Sequence, residues 1–133
     1  MDNKEFSRQL EERTKKFAIS IIKLSVLLPN TPEGRTIRTQ ITKSGTSIGA
    51  NYREANRSRS KADFTNKIKI CESESSETLY WMEIIDDLKW IESQKTVEQI
   101  EEADEILSIF TSIGKSLKTY FFDSKYSRHF SSL

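Results

Sequence analysis

The sequence predicts an all-α protein, an antiparallel up-down-up-down four-helix bundle that assembles as a homo-oligomer. Three observations predict this fold class. Apolar residues recur at steps of three and four in each of four segments, which is the spacing of one face of a helix. The 133 residues include only 4 glycines and 2 prolines, too few for the turns of a many-stranded β fold. Short polar stretches join the segments, so neighbouring helices are expected to run antiparallel.

The first predicted helix extends from Asn3 to Leu28. Its apolar face is formed by Phe6, Leu10, Phe17, Ile21, Leu24 and Leu28. Pro29 ends this helix, because proline lacks the backbone N–H and disfavours helical geometry at the preceding residue. The second helix then begins after Thr31, a favourable N-cap residue, with Pro32 in its first turn.

A stretch of small residues, Ser44 to Ala50, lies in the middle of the second predicted helix. Within it, Gly45 and Gly49 each destabilise a helix by about 1 kcal/mol relative to alanine. One interpretation is a continuous helix that another helix approaches closely at the glycines, and the alternative is a break near Gly45. Ile41 and Ile48 remain in phase across the stretch, which favours the continuous helix.

The third predicted helix begins after Ser60, which forms a variant capping box with Asp63, and extends to about Ser93. Its core face is a heptad seam of Phe64, Ile68, Cys71, Ser75, Thr78, Met82 and Ile85. A second apolar stripe beside it consists of Ile70, Trp81, Ile84, Leu88 and Ile91. A face this wide exceeds the needs of one groove inside a bundle and predicts self-association. The candidate helix-packing and oligomer contacts are Gly45, Gly49, Trp81, Ile84 and Leu88.

The fourth predicted helix begins with Thr96 as its N-cap. Its heptad seam consists of Ile100, Ala103, Leu107, Phe110, Gly114, Leu117 and Phe121. The following residues lose this periodicity and are rich in serine. Residues 1–121 are therefore predicted to form the bundle, and residues 122–133 a flexible C-terminal tail.

The net charge of +1 conceals two opposed blocks, because residues 35–69 carry a net charge of +7 and residues 72–105 carry −10. Basic residues cluster around the turn between the second and third helices and are candidates for binding nucleic-acid phosphates. These candidates are Arg53, Arg57, Arg59, Lys61, Lys67 and Lys69.

A structural interpretation of the same charges is also open. The basic second helix and the acidic third helix could pair in a ladder in which Lys43 faces Glu74. In that ladder Arg38 faces the region of Glu77. Near the turn, four residues are further expected to satisfy one another in a half-buried polar network. This network consists of Asn51, Glu54, Asp63 and Lys67.

The sequence offers little material for catalysis. His129, the one histidine, lies in the predicted tail, and Cys71 lies on the core face of the third helix, where a small buried residue is expected. Zinc-ligand spacings and phosphate-binding glycine loops do not occur. Glu72, Glu74 and Glu77 are expected to form a solvated face or ion pairs. The chain is therefore expected to be no enzyme, and to use no metal, cofactor or small-molecule substrate.

The N-terminal residues are polar and charged, without the apolar region of a secretory signal. No apolar run approaches the roughly 20 residues that span a membrane. One cysteine is compatible with a reducing compartment. A cytoplasmic protein without membrane contact is therefore expected.

Residues 44–88 carry a motif that resembles a known family. It consists of SGTSIGAN at 44–51, Glu54-Ala55, Ser60, Asp63-Phe64, Lys67, Glu74, Glu77 and Tyr80-Trp81. This pattern is similar to that of small bacterial four helix bundle proteins, also called 23S rRNA-intervening-sequence proteins. The resemblance implies a ring-like homopentamer without catalytic activity. It also implies an association with insertions in ribosomal RNA genes, and a distant kinship with nucleic-acid-binding accessory proteins of diversity-generating reverse transcriptases.

Two functions are compatible with these features. The first is a non-enzymatic oligomeric scaffold or adaptor, whose partner is RNA, DNA or a nucleic-acid-processing enzyme. The second is a protein–protein interaction module that engages a basic partner through its acidic third and fourth helices and binds no nucleic acid.

Overall fold

The computed structural model describes the backbone of residues 2–131 and the side chains of residues 2–118. Its elements are α1 (Asn3–Ser25), α2 (Pro32–Ala55), α3 (Lys61–Leu88) and α4 (Ser93–Ser131). The pairs α1–α2, α2–α3 and α3–α4 pack along their lengths, whereas α1 and α4 approach each other only over a short stretch. The predicted four-helix bundle is confirmed, and the homo-oligomer stays a prediction.

Side-chain caps begin the first three helices. The Thr31 hydroxyl accepts a hydrogen bond from the backbone N–H of Gly34 at 3.0 Å, and Asp2 caps α1 in the same manner. The Ser60 hydroxyl accepts from the N–H of Asp63 at 3.1 Å. Each cap satisfies a backbone donor that has no partner inside its own helix, which confirms the two predicted starts.

The end of α1 lies at Ser25, three residues before the predicted end at Leu28. Arg38 of α2 donates hydrogen bonds to the backbone oxygens of Ser25 at 3.0 Å and Leu28 at 2.7 Å. These carbonyls belong to the chain leaving α1, where helical partners run out. The guanidinium therefore stabilises a chain that departs from helical geometry before Pro29.

The connection between α3 and α4 also differs from the prediction. The helix α3 ends at Leu88, and not near Ser93, because Lys89 adopts a left-handed conformation with φ of 58°. The helix α4 begins at Ser93, so Thr96 is not its N-cap. The Thr96 hydroxyl is buried and donates to the Asp86 carboxylate at 2.6 Å, which ties the first turn of α4 to the last turn of α3.

The backbone of α4 continues through residue 121 to Ser131 without a break. The predicted boundary between bundle and tail is therefore not a helix end. The side chains of residues 119–133, and residues 132–133 altogether, lie outside the described residues. The flexibility of the predicted tail, residues 122–133, stays a prediction.

The heptad seam of α3 forms the centre of the core. Its buried members are Ile68, Cys71, Ser75, Thr78, Met82 and Ile85, whereas Phe64 is only half-buried. On α4, Ala103 and Phe110 are buried as predicted, but Ile106 is fully buried where Leu107 was expected. The rotation of α4 about its axis thus differs slightly from the one its seven-residue repeat suggested.

The small residues of α2 lie in a continuous helix, so the alternative of a break near Gly45 is wrong. A Cβ atom placed on Gly45 would lie 2.8 Å from Cγ2 of Ile21 on α1. On Gly49, a Cβ would lie 3.0 Å from the Thr14 hydroxyl oxygen. The two glycines therefore permit a close α1–α2 contact inside the subunit.

Candidate nucleic-acid interface

The turn between α2 and α3 places basic side chains at one end of the bundle. Arg57 and Arg59 lie in this turn and Lys61 begins α3, and all three are exposed. Among the described side chains, no carboxylate lies within 4.0 Å of either arginine. The start of α1 and residues 111–118 of α4 lie at the same end, which we call the tip end.

Arg53 is drawn toward α1. Its Nε lies 3.6 Å from one carboxylate oxygen of Glu11, and the other oxygen accepts a hydrogen bond from the Asn56 amide at 3.0 Å. Glu11 therefore partly neutralises Arg53 and fixes the end of α2 against α1. Sequence reasoning missed this contact, because Glu11 is 42 positions away and carries no distinguishing motif.

The predicted polar network forms only in part. The Lys67 ammonium donates to the Glu54 carboxylate at 2.7 Å, and this hydrogen bond raises the pKa of Lys67. Asp63 is exposed and contributes only a weaker attraction to Lys67. Asn51 instead donates to the backbone oxygen of Ser47 at 2.8 Å. Asn51 therefore does not join the network, because a carbonyl one turn earlier in its own helix satisfies its amide.

The helix α4 adds basic residues that the sequence analysis did not single out. Lys115 and Lys118 border a groove between α3 and α4 at the tip end, opposite Lys69. The sequence contains no signal for these lysines, because the pattern of the fourth helix indicates only its core seam. Only the antiparallel arrangement of α3 and α4 brings these lysines beside Lys69.

The expected ladder of ion pairs between α2 and α3 does not form. Arg38 turns away from Glu77 and binds the carbonyls at the end of α1. Lys43 attracts Glu74 without closing an ion pair, and burial outweighs this attraction and raises the pKa of Glu74. In the described part of the chain, Lys67 with Glu54 is the one ion pair that joins α2 to α3. Among the described residues, the pairing of α2 with α3 therefore gives Arg57 and Arg59 no acidic partner.

Exposed apolar residues gather at the opposite end, called the far end here, where the α1–α2 and α3–α4 loops lie. On α3, Leu88 is 48% exposed beside half-buried Ile84 and Trp81. Tyr80 completes this face and meets Trp81 edge to face, with ring centres 5.1 Å apart. Trp81, Ile84 and Leu88 were predicted as oligomer contacts, and Tyr80 was not. Gly45, by contrast, packs inside the subunit.

A second apolar face lies on α1 and was not predicted. It consists of Ile19, Ile22 and Val26, which are spaced three and four residues apart on the side opposite the α1 core residues. Val26 is 69% exposed. The spacing of these residues in the sequence was a usable signal, but the buried stripe of the same helix obscured it.

Cys71 is buried, and its thiol donates to the backbone oxygen of Ile48 at 3.5 Å. Burial raises the pKa of this thiol to about 12. Within residues 2–118, no three side chains of the metal-binding types gather at one point. No helix in the described residues is long and apolar enough to cross a membrane.

The fold and these surfaces define a class of protein: a four-helix bundle with a basic turn at one end and exposed apolar faces at the other. The chain belongs to the 23S rRNA-intervening sequence protein family, whose family model matches residues 8–112. This confirms the affiliation that residues 44–88 predicted.

A crystal structure of a protein of unknown function from the S23 ribosomal protein family of Bacteroides thetaiotaomicron VPI-5482 is similar to this chain. The two are 36% identical, with a TM-score of 0.74, over 80% of this chain and 98% of that one. None of the curated proteins matches.

Proposed function

We propose that this chain is a non-enzymatic scaffold that assembles with copies of itself and binds nucleic acid, RNA in particular, at its tip end. The observation that carries the proposal is the separation of two surfaces: uncompensated arginines lie at the tip end and exposed apolar residues at the far end. Two partners can therefore bind one subunit without competing. The protonated thiol of Cys71 is a poor nucleophile, which supports a non-enzymatic role.

The tip end has the chemistry of a phosphate-binding surface. Arg57 and Arg59 are both exposed in the turn at the end of the bundle, so a polyanion has access to both. Lys69 and Lys118 extend the positive surface along α3 and α4. Each contact of this kind with a phosphate releases a condensed counterion, so binding driven by the tip end falls steeply as salt rises.

Fluorescence anisotropy with a labelled, structured RNA hairpin tests this surface at 50 and 200 mM salt. The double variant Arg57→Glu/Arg59→Glu is expected to weaken binding by at least roughly tenfold at low salt and to reduce the salt dependence. The control Arg35→Glu/Lys95→Glu changes the net charge equally at the far end. Salt-independent binding, or equal losses in both double variants, would contradict the proposal. Capture of a basic protein that survives nuclease treatment would favour the protein–protein alternative.

Self-association rests on two unlike apolar faces. The α1 face is interspersed with the exposed basic residues Lys15, Lys16 and Lys23. The α3 face is interspersed with the exposed acidic residues Glu77, Glu83 and Asp87. Charge complementarity therefore favours contact of the α1 face with the α3 face over contact of either face with its own kind.

The positions of the faces determine the kind of assembly. The helices α1 and α3 both pack against α2, so they occupy diagonal positions and their outer faces point in different directions. One copy therefore presents its α1 face to the α3 face of the next copy in a head-to-tail contact. Repetition of such a contact closes a ring when the rotation per subunit allows it. A pentamer is the ring size that the family resemblance implies.

A charge swap tests this contact by multi-angle light scattering after size exclusion. Lys23→Glu places like charges in the contact and is expected to lower the molar mass. Adding Asp87→Lys restores opposite charges, and the assembly should return. A wild-type protein that is strictly monomeric at micromolar concentration would refute self-association. Failure of the second substitution to restore the assembly would refute the pairing of these two faces.

A further inference from the structure

A groove of about 410 Å³ lies between α3 and α4 at the tip end. Thr65, Lys69 and Glu72 contribute its α3 wall, and Gly114 and Lys118 belong to its α4 wall. The groove begins where the core seam of α4 reaches position 114. Phe110, one turn earlier, is fully buried, whereas Gly114 offers no side chain to fill the corresponding space.

Gly114 differs from the glycines of α2 because nothing crowds it. Among the described residues, a Cβ atom at this position would meet only the Glu72 carboxylate, at 3.7 Å. A glycine in a helix interior destabilises the helix by roughly 1 kcal/mol relative to alanine. At Gly45 a close helix contact offsets that cost, but at Gly114 no contact does. The lack of a side chain at Gly114 leaves the groove open.

The walls of the groove are suited to an anion. Lys69 comes from α3, and Lys115 and Lys118 come from α4, and Glu72 is the only carboxylate among the described residues that line the groove. The Thr65 hydroxyl oxygen is buried in the α3 wall and has no hydrogen-bond partner among the described residues. Other helical threonines, such as Thr36 and Thr46, donate to the carbonyl four residues earlier.

A rotation about χ1 of Thr65 moves its hydroxyl to a different staggered position, and threonine in helices adopts two such rotamers. The side chain thus carries an unused donor at the wall of a groove rimmed by ammonium groups. A phosphate oxygen in the groove would be an acceptor for all of these groups, and its charge would make each hydrogen bond stronger than a neutral one.

We infer that the α3–α4 groove binds a phosphate of a nucleic-acid backbone. The inference rests on the proposed function and adds a defined site to it: the arginines of the turn attract the polyanion, and the groove seats one of its phosphates. A backbone phosphate carries no base identity, so RNA and DNA hairpins of matched sequence both occupy the groove.

Filling the groove tests the inference without changing any charge. Gly114→Leu places a side chain in the open space, and the expected result is a loss of affinity for the labelled RNA hairpin of about tenfold. Circular dichroism should show an unchanged or higher melting temperature, because leucine favours the helix. Gly114→Ala leaves most of the groove open and serves as the matched control, with affinity near that of wild type.

Two further variants probe the polar groups of the walls. Lys69→Gln/Lys118→Gln should lower the affinity and reduce the slope of log affinity against log salt by about two. Lys95→Gln, at the far end of α4, should do neither. Thr65→Val should weaken binding by about tenfold while the free protein melts at the same or a higher temperature, since a buried hydroxyl without a partner is destabilising.

The outcomes separate this inference from the proposed function. If Arg57→Glu/Arg59→Glu abolishes binding but Gly114→Leu binds RNA as tightly as wild type, the groove is not a phosphate site and the tip-end function stands. If wild type binds neither hairpin even at low salt, both are overturned. A loss in Gly114→Leu and Thr65→Val with retained folding supports the groove.

Discussion

Substitution of Gly45 by alanine tests how α1 and α2 are held together. The added Cβ would lie 2.8 Å from Cγ2 of Ile21 and 3.1 Å from both its Cβ and Cγ1. Isoleucine is β-branched and restricted at χ1, so this side chain cannot swing aside. Ile21 is also fully buried, which leaves it no space to move into. The two helices must therefore separate by several tenths of an ångström.

The expected change in the free energy of unfolding has two opposing parts. Overpacking a core contact destabilises by about 1–3 kcal/mol. Replacing glycine with alanine in a helix interior stabilises by about 1 kcal/mol. Gly45→Ala is therefore expected to destabilise by up to about 2 kcal/mol. Gly114→Ala raises helix propensity without a steric clash, so it should stabilise the protein by about 1 kcal/mol.

Urea unfolding followed by circular dichroism at 222 nm measures both variants at one protein concentration. Subtraction of the two changes removes the helix-propensity part and leaves the steric part, about 1–3 kcal/mol. The m-values should match that of wild type, since neither substitution alters the surface exposed on unfolding. Equal stability of Gly45→Ala and Gly114→Ala would refute a close contact at Ile21.

Three further substitutions test local features of the fold. Gly34→Ala would place a Cβ atom 1.9 Å from the backbone oxygen of Pro29. It should therefore destabilise the protein by about 3 kcal/mol in the same urea assay, and a neutral effect would contradict this close approach. Lys89→Gly relieves the left-handed conformation at the end of α3 and should stabilise by about 1 kcal/mol, whereas a loss would show that the lysine side chain contributes there. For Cys71, the pKa is raised from 9.0 to about 12, so the folded state retains a proton that the unfolded state loses. The stability that this difference in proton binding provides is complete below pH 9 and is lost as the pH rises toward 12. Between pH 8 and 10.5 the free energy of unfolding of wild type should therefore fall more steeply than that of Cys71→Ala, by up to about 1.4 kcal/mol per pH unit. Parallel curves would contradict a buried thiol.

The features that the sequence predicted correctly are those determined by neighbours along the chain. A cap such as Ser60 acts on a residue three positions later, and the α3 seam from Ile68 to Ile85 depends only on a repeat within one helix. The close approach at Gly45 and Gly49 also belongs to this group, because it was predicted from a run of small residues within one helix. Their partner helix, α1, could not be identified from the sequence.

The contacts that the sequence did not predict depend on how the helices are rotated and which atoms they bring together. Arg38 was expected to pair with an acidic side chain, but it binds the backbone oxygens of Ser25 and Leu28 at the end of α1. Thr96 likewise binds Asp86, a carboxylate that the connection between α3 and α4 brings to it, whereas Asn51 bonds to a carbonyl of its own helix. A polar side chain has several possible partners in the sequence. Which of them it binds depends on which buried polar groups would otherwise lack a hydrogen bond in the folded chain.

The helix α1 links subunit stability to assembly. It packs closely on α2, but it meets α4 only over a short stretch, where Arg13 binds Glu102 at 2.6 Å and Glu105 at 2.7 Å. The same helix presents Ile22 and Val26 to solvent. A neighbouring copy on this face would add burial to a helix that packs along its length against only one helix of its own subunit.

Assembly should therefore stabilise α1 more than the other helices, by mass action. Hydrogen exchange is expected to slow in α1 as protein concentration rises from 1 to about 100 μM, with smaller changes in the buried seam of α3. Val26→Glu should abolish this concentration dependence, because it places a charge at the most exposed residue of the α1 face. The control Lys4→Glu changes the charge on α1 near the tip end and should retain it. Equal slowing in all four helices would mean that the contact between copies does not centre on α1.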